Sequence, residues 1–298
     1  MRSLGYRARI VASSDPVSGA DMLLALHARK TAGFVARFRK RFPDRPIVVV
    51  LTGTDVYGAL PRSRRAMTAL ETADAIVTLQ PLAIERIPKR LRSKAVAVLQ
   101  SAQRVSVRRK KAKSAPVRLC VLGHLRREKD PLRAAYALRY LKGCNVEVLQ
   151  AGGMLDRHYA ARVEALESRD PRYRYLGEVS RSRSLRLLAG CDALVLSSRS
   201  EGGANVASEA IANGVPVLAS RIDGNAGVFG ARYSGYYAVG SSEALAELID
   251  RFICDPAFAR NLRLQVRALR PGVMLENERK RLARAIALAK RNANESRA

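Results

Sequence analysis

Short runs of Val, Ile, Leu and Ala alternate along this sequence with longer segments of helical periodicity, and this alternation limits the possible folds more than any other feature. Strands that are apolar on both faces are typical of a parallel sheet covered by helices. In the first third of the chain the predicted strands are Ala8–Ala12, Met22–His27, Ile47–Thr52, Ala75–Leu79 and Ala95–Leu99. Helical patterns such as Ala28–Phe42 and Pro61–Ala73 separate them. The pattern predicts an α/β unit.

A second series of the same kind follows. Its predicted strands are Val117–Leu122, Val146–Ala151, Tyr173–Leu176, Ala193–Ser197, Val215–Ser220 and Tyr236–Val239. Helical patterns lie between them, at Pro131–Leu141, Ser182–Ala189 and Ala204–Asn213. We therefore expect two Rossmann-like units in tandem.

The two series are separated by a basic stretch. Residues 104–116 contain six Lys or Arg side chains and no acidic one. Such a run is most often a solvated connector, and a patch for nucleic acid or lipid headgroups is the alternative. We expect an N-terminal domain at 1–103, a linker at 104–116, a second domain at 117–254, and C-terminal helices at 255–298 that cross back to the first domain.

The charge of the chain is strongly positive. It has 54 Lys plus Arg against 26 Asp plus Glu, a formal net charge of +28 over 298 residues. Because 48% of the residues are hydrophobic, this charge belongs to a folded protein rather than to a disordered basic tail. Two kinds of partner could explain this charge. One is nucleic acid, and the other is small phosphorylated molecules together with an anionic membrane surface. With 5% aromatic residues and no Trp, specific nucleic-acid binding is the remote alternative.

Several classes of protein are disfavoured. No apolar run approaches the roughly 18 residues of a spanning helix, so at most a peripheral membrane contact is expected. The N-terminus lacks the apolar core of a signal peptide. Four widely spaced Cys and three His suggest neither a disulfide framework nor a zinc site. We expect a cytoplasmic protein.

The segment 197–210 carries the most information about function, because a predicted strand ends there and a loop with Gly202 and Gly203 leads into a helix. The glycines permit close approach of the backbone to a ligand. The N–H groups at the positive end of the helix dipole suit an anion such as a diphosphate. These N–H groups belong to Ala204, Asn205 and Val206.

Two carboxylates accompany this loop. Glu201 and Glu209 can both accept hydrogen bonds from the hydroxyls of a sugar or ribose, although a Glu in a first turn also simply complements the dipole. Their spacing, within the stretch from Cys191 to Gly224, resembles the donor-binding signature of GT-B glycosyltransferases of group 1. The resemblance implies two Rossmann-like domains facing each other across a cleft. It implies that Glu201 contacts hexose hydroxyls and that Glu209 contacts the ribose of a nucleotide sugar.

A second segment, Gly123 to Asp130, resembles the part of the same family that neutralises the donor diphosphate. Lys129 matches the lysine of the family. His124 stands where the family has an arginine, so the second phosphate contact falls to Arg126 or to His124 as an imidazolium. Fixed cations stabilise the leaving diphosphate, and no Asp-x-Asp metal clamp occurs, so neither a metal nor another cofactor is expected. The expected catalytic residues are Lys129, Arg126 and Glu201.

Several segments in consistent order resemble the selenosugar synthases of selenoneine biosynthesis. They are Leu26–Lys30, Leu51–Tyr57, Leu79–Gln80, Leu99–Ala102, Gly123–Pro131 and Glu201–Asn205. This resemblance implies transfer of a sugar, N-acetylglucosamine in particular, from UDP to selenophosphate. It also implies selenophosphate synthase and selenoneine synthase as pathway neighbours. Members of that family carry one further βα unit ahead of the segment matching Arg7–Val11, so we expect the N-terminal domain to lack its first βα unit.

The residues expected on the acceptor side follow two predicted strands. They are His27, Arg29, Lys30, Gly53, Thr54 and Asp55. Thr54 and the Gly53 backbone are expected to contact the acceptor or sugar, and Arg29 or Lys30 its phosphate. An anionic selenium needs little help from a general base. The alternative is that Arg29 and Lys30 are solvated residues of a first helical turn and that Thr54 and Asp55 only cap a helix. The alternative enzyme is a group 1 transferase with a hydroxyl acceptor.

Overall fold

The computed structural model of the protein describes residues 1, 4–60, 62–107, 112 and 114–295. Its internal contacts divide the chain into two compact units. Unit 1 comprises Met1–Ser101, Glu201–Gly203 and Leu275–Ala298, and unit 2 comprises Ala102–Ser200 and Ala204–Met274. Each unit contains one parallel sheet with helices packed on it, so the predicted α/β class is confirmed.

Unit 1 is built on a sheet whose described strands follow the order β1-β2-β3-β4. They are β1 (Leu23–Leu26), β2 (Ile47–Val50), β3 (Ala75–Thr78) and β4 (Ala95–Ala97). Its α-helices are α1 (Ala28–Arg41), α2 (Arg64–Thr72) and the last helix of the chain, α10 (Leu275–Glu295). A single π-helical turn, Asp55–Ala59, follows β2, and 3-10 turns at Pro81–Arg86 and Lys89–Lys94 connect β3 to β4.

The side chains of β2 alternate between two apolar layers, as the period of a strand requires. Ile47 and Val49 are buried in a cluster with residues of α1 and α2. Val48 points to the opposite face, where Ala285 and Ala289 of α10 complete a second cluster. Burial of each such Val or Ile contributes about 1.5–3 kcal/mol. The sheet of unit 1 is therefore covered on one face by α1 and α2 and on the other face by α10.

The predicted strand Ala8–Ala12 is wrong. This segment is irregular and exposed, and Ile10 is 97% exposed. Arg7 and Arg9 make one face of the segment charged, whereas the four strands of unit 1 carry no charged side chain. A strand buried on both faces of a parallel sheet needs apolar side chains on both, and this segment lacks them.

Unit 2 is built on a sheet with the order β10-β9-β8-β5-β6-β7. Its strands are β5 (Val117–Leu122), β6 (Val146–Ala151), β7 (Tyr173–Tyr175), β8 (Ala193–Leu196), β9 (Val217–Ser220) and β10 (Tyr236–Tyr237). Its α-helices are α3 (Arg133–Ala137), α4 (Ala160–Arg169), α5 (Arg181–Gly190), α6 (Asn205–Asn213), α7 (Asp223–Phe229), α8 (Ser242–Cys254) and α9 (Pro256–Ala268). Strands β5 and β8 are neighbours, and from them the chain winds in opposite directions across the sheet. Ligands of such sheets bind at the carboxyl ends of the strands at this switch point.

The last boundary between the units lies at 274/275, whereas the sequence suggested 254/255. The break at Asp255 is a helix cap: its carboxylate accepts the backbone N–H groups of Ala257 and Phe258 at 2.9 and 3.0 Å. Helix α9 then packs on α6 and α8, within unit 2. At the other end of unit 2, Val105 donates its N–H to Asn213 Oδ1 at 2.8 Å, so the described start of the predicted linker is attached to this unit. Residues 108–111 and 113 of that linker lie outside the described residues.

In the part of the chain that the structure describes, none of the helices combines the length and the apolar character that crossing a membrane requires.

Candidate functional site

Lys129 lies against the carboxyl end of β5. Gly123, the first residue after β5, has a φ of 152°, which favours glycine. A Cβ at Gly123 would lie 4.0 Å from both Cδ and Cε of Lys129, so the aliphatic stem of the lysine passes beside this glycine. The structure thus brings together two of the residues predicted to bind the donor.

The turn that carries Lys129 ends at Asp130 in a left-handed conformation. Residues Arg127–Lys129 form a 3-10 turn, and Asp130 follows with φ 45° and ψ 54°. Arg133 donates from Nε and Nη2 to the two oxygens of the Asp130 carboxylate at 3.0 and 3.2 Å. Arg199 Nη2 lies 3.4 Å from the same carboxylate. Two guanidinium groups therefore hold the residue after Lys129.

The same turn is attached to the end of β8. Ser197 donates its hydroxyl to the carbonyl of Lys129 at 3.0 Å, and the backbone N–H of Arg199 donates to the carbonyl of Glu128 at 2.8 Å. Arg133 also donates from Nη1 to Ser242 Oγ at 2.9 Å. These contacts place the turn beside the switch point between β5 and β8.

A small pocket opens at this place. Its lining comes from the ends of β5 and β8 and from the turn between them, with Gly123, Lys129, Pro131, Ser197 and Ser198 among its residues. Sequence reasoning missed Asp130, Arg133, Ser197 and Arg199 as supports of this pocket. The Asp-x-x-Arg spacing of Asp130 and Arg133 was the one available signal, since residues three apart on a helical turn can pair.

Arg126 and His124 are the two alternatives that the sequence offered for the second phosphate contact, and both have partners in the structure. Nδ1 of His124 accepts the backbone N–H of Gly153 at 3.1 Å. Because this nitrogen faces a backbone donor, His124 has only Nε2 left for a contact with a phosphate. Arg126 Nε lies 3.2 Å from Glu128 Oε1, so its charge is balanced within the turn. Lys129 is the predicted diphosphate ligand that the structure places at the pocket.

Glu209 is buried on α6 and forms an ion pair with Arg181. Its side chain is 9% exposed, and its Oε1 lies 3.1 Å from Nη2 of Arg181, at the start of α5. Burial raises the pKa of Glu209 above its usual value, and the Arg181 charge partly opposes this shift. The helix itself begins at Asn205 after Ala204, whose side chain does not cap it. The predicted set Ala204, Asn205, Val206 and Glu209 therefore lies on one helix start and its first turns.

The loop residues just before α6 belong to the other unit. By their contacts, Glu201, Gly202 and Gly203 are part of unit 1, whereas α6 is part of unit 2. Glu201 and Gly202 are buried, and Gly203 has a φ of 151°. The structure therefore divides the predicted donor residues between the two units.

On the acceptor side, the structure joins the ends of β1 and β2 through His27 and Asp55. Asp55 is fully buried in the π-helical turn after β2, and its Oδ1 lies 2.7 Å from Nδ1 of His27. Its carboxylate also accepts the backbone N–H of Thr52 at 3.0 Å and that of Arg29 at 3.3 Å. His27, which caps α1, has an unusual backbone with φ 75°.

Thr54 completes this group, and the basic residues stay on the surface. Thr54 is exposed, and its Oγ1 lies 3.0 Å from Nε2 of His27. Arg29 and Lys30 have exposed side chains, while their backbone N–H groups are directed at Asp55 and His27. Gly53 is half-buried just after β2. The predicted acceptor residues thus cluster at the carboxyl ends of two neighbouring strands of unit 1.

Residues 103–268, more than half of the chain, match the family model described as glycosyl transferases group 1. The chain belongs to the group 1 glycosyl transferases. This agrees with the glycosyltransferase resemblance of the segments around Lys129 and Glu209, both of which lie inside the matched residues.

Solved structures share the fold of this group 1 glycosyltransferase. HepE of Anabaena, determined with UDP and glucose, has a TM-score of 0.73 at 16% identity, over 90% of this chain and 78% of that one. Sucrose-phosphate synthase of Thermosynechococcus elongatus has a TM-score of 0.68 at 19% identity, over 89% and 72%. A UDP-forming α,α-trehalose-phosphate synthase of Burkholderia xenovorans, determined with glucose-6-phosphate, has a TM-score of 0.72 at 12% identity, over 89% and 73%. The predicted GT-B class, with its two parallel α/β sheets, is confirmed.

Proposed function

We propose that this group 1 glycosyltransferase transfers a sugar, N-acetylglucosamine in particular, from a UDP-sugar to selenophosphate. The observation that carries the donor half is the placement of Lys129 beside Gly123, at the carboxyl end of β5 and next to β8. A cation at the switch point of a parallel sheet suits a nucleoside diphosphate. HepE, which shares the fold, was determined with UDP and glucose.

In this proposal the donor leaves as UDP. As the bond between the sugar and the β-phosphate breaks, negative charge grows on the phosphate, and Lys129 and the N–H groups at the start of α6 stabilise that charge. Glu209 accepts hydrogen bonds from the ribose, and Glu201 from the hexose. Arg126, which precedes the same turn, is the second cation for the diphosphate and would exchange its contact with Glu128 for a phosphate oxygen. Fixed cations and N–H donors provide this stabilisation without a metal ion.

Selenophosphate as the acceptor is supported by the resemblance to selenosugar synthases in both halves of the chain. In that case a selenophosphate synthase supplies the acceptor, and a selenoneine synthase consumes the product. Arg29 and Lys30, exposed next to His27, are the candidates for its phosphate.

A hydroxyl acceptor is the second candidate, because one contact favours it. The imidazole of His27 is paired with the buried carboxylate of Asp55 and reaches an exposed hydroxyl through its other nitrogen. Such a pair is suited to removing a proton from an alcohol, whereas an anionic selenium needs less help.

The proposal is tested by incubating the protein under anaerobic conditions with UDP-N-acetylglucosamine and selenophosphate, and analysing the products by mass spectrometry. We expect a selenosugar and an equal amount of UDP. Parallel reactions contain inorganic phosphate, or a panel of sugars and sugar phosphates, in place of selenophosphate. A glycosylated hydroxyl with no selenosugar would replace the first candidate by the second, and the absence of UDP release with every acceptor would contradict both.

A further inference from the structure

Asp55, His27 and Thr54 form a hydrogen-bonded series that runs from a buried carboxylate to an exposed hydroxyl. Asp55 is 0% exposed and the side chain of His27 is 11% exposed, whereas Thr54 is exposed. The two links measure 2.7 Å, from Asp55 Oδ1 to His27 Nδ1, and 3.0 Å, from His27 Nε2 to Thr54 Oγ1. Both ring nitrogens of the imidazole are therefore engaged.

The chemistry of the groups fixes the direction of these bonds. An ionised carboxylate only accepts, so Nδ1 of His27 carries the hydrogen and donates it to Asp55. Nε2 is then the basic nitrogen, and it accepts the hydroxyl hydrogen of Thr54. The N–H of Lys30 lies 3.4 Å from Nδ1, at the long limit of a hydrogen bond, and a nitrogen that donates to Asp55 cannot also accept it.

Capping α1 does not account for this arrangement. Ser, Thr, Asn and Asp are the residues that cap helices well, and a His gains nothing over them in that role. Here the His also has a φ of 75°, a backbone conformation that costs on the order of 1–3 kcal/mol in a residue other than glycine. Such strain persists only where the surrounding contacts impose it, and Asp55 supplies the main contact: its carboxylate receives the imidazole together with the N–H and hydroxyl of Thr52.

We propose that Thr54 and His27 form a proton relay that removes the proton of the acceptor during glycosyl transfer, with Asp55 as the residue that positions the imidazole. The inference rests on the proposed function and deepens it. As the acceptor atom bonds to the anomeric carbon, the bond from that carbon to the β-phosphate oxygen breaks, and its electron pair leaves with UDP. The acceptor proton passes to Thr54 Oγ1 while the hydroxyl proton of Thr54 passes to His27 Nε2. The resulting imidazolium faces the Asp55 carboxylate.

The relay defines the class of acceptor. The attacking molecule must bring a proton that it loses when the new bond forms. An alcohol meets this condition, and so does selenophosphate that binds in its monoprotonated form. The relay is therefore compatible with either version of the proposed function, and its contribution is larger for an alcohol, because an anionic selenium needs less help from a base.

The decisive variant is His27→Asn. Asn tolerates a positive φ and caps helices well, so it keeps the backbone and the start of α1 while removing the basic nitrogen. We expect kcat to fall about 100-fold or more, the usual contribution of a general base, with the KM for the UDP-sugar changed less than about threefold. His158→Asn is the matched control, because His158 also pairs with an aspartate, Asp156, at 2.6 Å, but on an exposed turn of unit 2. It should keep the wild-type rate.

Thr54 supplies an independent variant that leaves the His27–Asp55 pair in place. Thr54→Val keeps the shape of the side chain and removes the hydroxyl, so kcat should again fall strongly, and Thr54→Ser should recover most of the lost rate. A kcat for His27→Asn or Thr54→Val within about threefold of wild type would overturn the relay. If wild-type protein transfers no sugar to any acceptor, the proposed function fails, and the relay fails with it.

Nitrogen-15 NMR of the imidazoles tests the geometry apart from activity. The chain has three His, so the signals are readily assigned with the His27→Asn and His158→Asn variants. We expect the hydrogen of neutral His27 on Nδ1, and a shift of its Nε2 signal in Thr54→Val. A hydrogen found on Nε2 would overturn the direction of the relay, and with it the proposal.

Discussion

Two residues other than glycine have positive φ in the described parts of the chain, His27 and Asp130. His27 directly follows β1 and pairs with Asp55, whereas Asp130 ends the 3-10 turn after β5 and pairs with Arg133, three residues further along the chain. A backbone of this kind is maintained by the contacts around it. In each unit, one such position therefore lies beside residues that the sequence predicted for the site: His27 itself in unit 1, and Asp130 next to Lys129 in unit 2.

Glu209 shows how burial shifts the pKa of a residue that is predicted to bind the donor. The apolar surroundings raise the pKa of its carboxyl, because they disfavour the ionised form, and the nearby Arg181 charge lowers it in part. If Glu209 accepts hydrogen bonds from a ribose, the ionised form binds. UDP affinity should then decline with falling pH, and it should do so at a higher pH than an ordinary Glu would cause.

The Arg181→Gln variant tests this account of Glu209. Removing the positive charge should raise the pKa of Glu209 further, so the loss of UDP affinity on acidification should begin at a higher pH than in the wild type. Calorimetric titration with UDP between about pH 5 and pH 8 measures the effect. Arg183→Gln, on the same exposed turn of α5, is the control. The same pH dependence in both variants and the wild type would show that Arg181 does not influence Glu209.

At the scale of elements, the short turn Arg127–Lys129 depends on its attachments rather than on its own hydrogen bonds. A 3-10 turn of three residues is too short to be stable alone. The carboxylate of Asp130 binds Arg133 and Arg199, and Ser197 holds the carbonyl of Lys129. These contacts hold the turn that carries Lys129 beside the ends of β5 and β8.

Asp130→Gly tests that dependence. Gly accepts the left-handed backbone, so the variant removes the carboxylate without adding strain. We expect kcat to fall about tenfold to hundredfold through misplacement of Lys129, approaching the loss in Lys129→Ala, which should be about 10²–10³-fold. Kinetics with a UDP-sugar, together with UDP affinity, separate the effect on turnover from the effect on binding.

Asp170→Gly is the matched control for Asp130→Gly. Asp170 also binds an arginine through both oxygens, with Arg172 Nε and Nη2 at 2.9 and 2.7 Å, but it precedes β7 and so lies at the amino ends of the strands. Its loss should change stability and not kcat. A comparable decrease in kcat for both variants would mean that the contacts of Asp130 with Arg133 and Arg199 do not act on the reaction through Lys129.

Helices and strands with a clear apolar periodicity were predictable from the sequence. The surfaces on which they pack were not. The strand from Val117 to Leu122 and the helix from Ala28 are apolar in the period of their element, and the structure has them within a residue. The segment Ala8–Ala12 also contains apolar residues, but Arg9 makes one of its faces charged, so it cannot be buried on both faces and forms no strand. Local pattern predicts an element only where the rest of the fold supplies a partner surface.

At the scale of the whole molecule, the two ends of the chain build one unit. Helix α10 covers the face of the first sheet that α1 and α2 leave open, with Ala285 and Ala289 fully buried. Arg281 donates to the carbonyl of Ala97, and Asn292 to that of Asp74, so polar contacts fix the helix along its length. Unit 1 therefore depends on residues from the end of the sequence.

Ala289→Asp should destabilise unit 1. A charge placed at this fully buried position has no partner prepared for it, so the free energy of unfolding should fall by about 3–5 kcal/mol. Ala287→Asp, exposed on the same helix, makes the same change in helix propensity and should cost far less. Denaturant unfolding, with hydrogen exchange of the β2 and β3 amides to locate the effect, measures the difference. Equal losses in the two variants would show that α10 does not support the sheet.

The sequence by itself determined the class of the fold and the residue types of the site. Apolar period is a local property, and the motifs around Lys129 and Glu209 are contiguous, so both can be read along the chain. Tertiary structure alone decided which groups meet. The Asp55–His27–Thr54 series joins residues 27 or 28 positions apart, and Arg199 reaches Asp130 from a different strand end. The direction of a side chain and the φ of its backbone depend on these distant contacts, and no local pattern contains them.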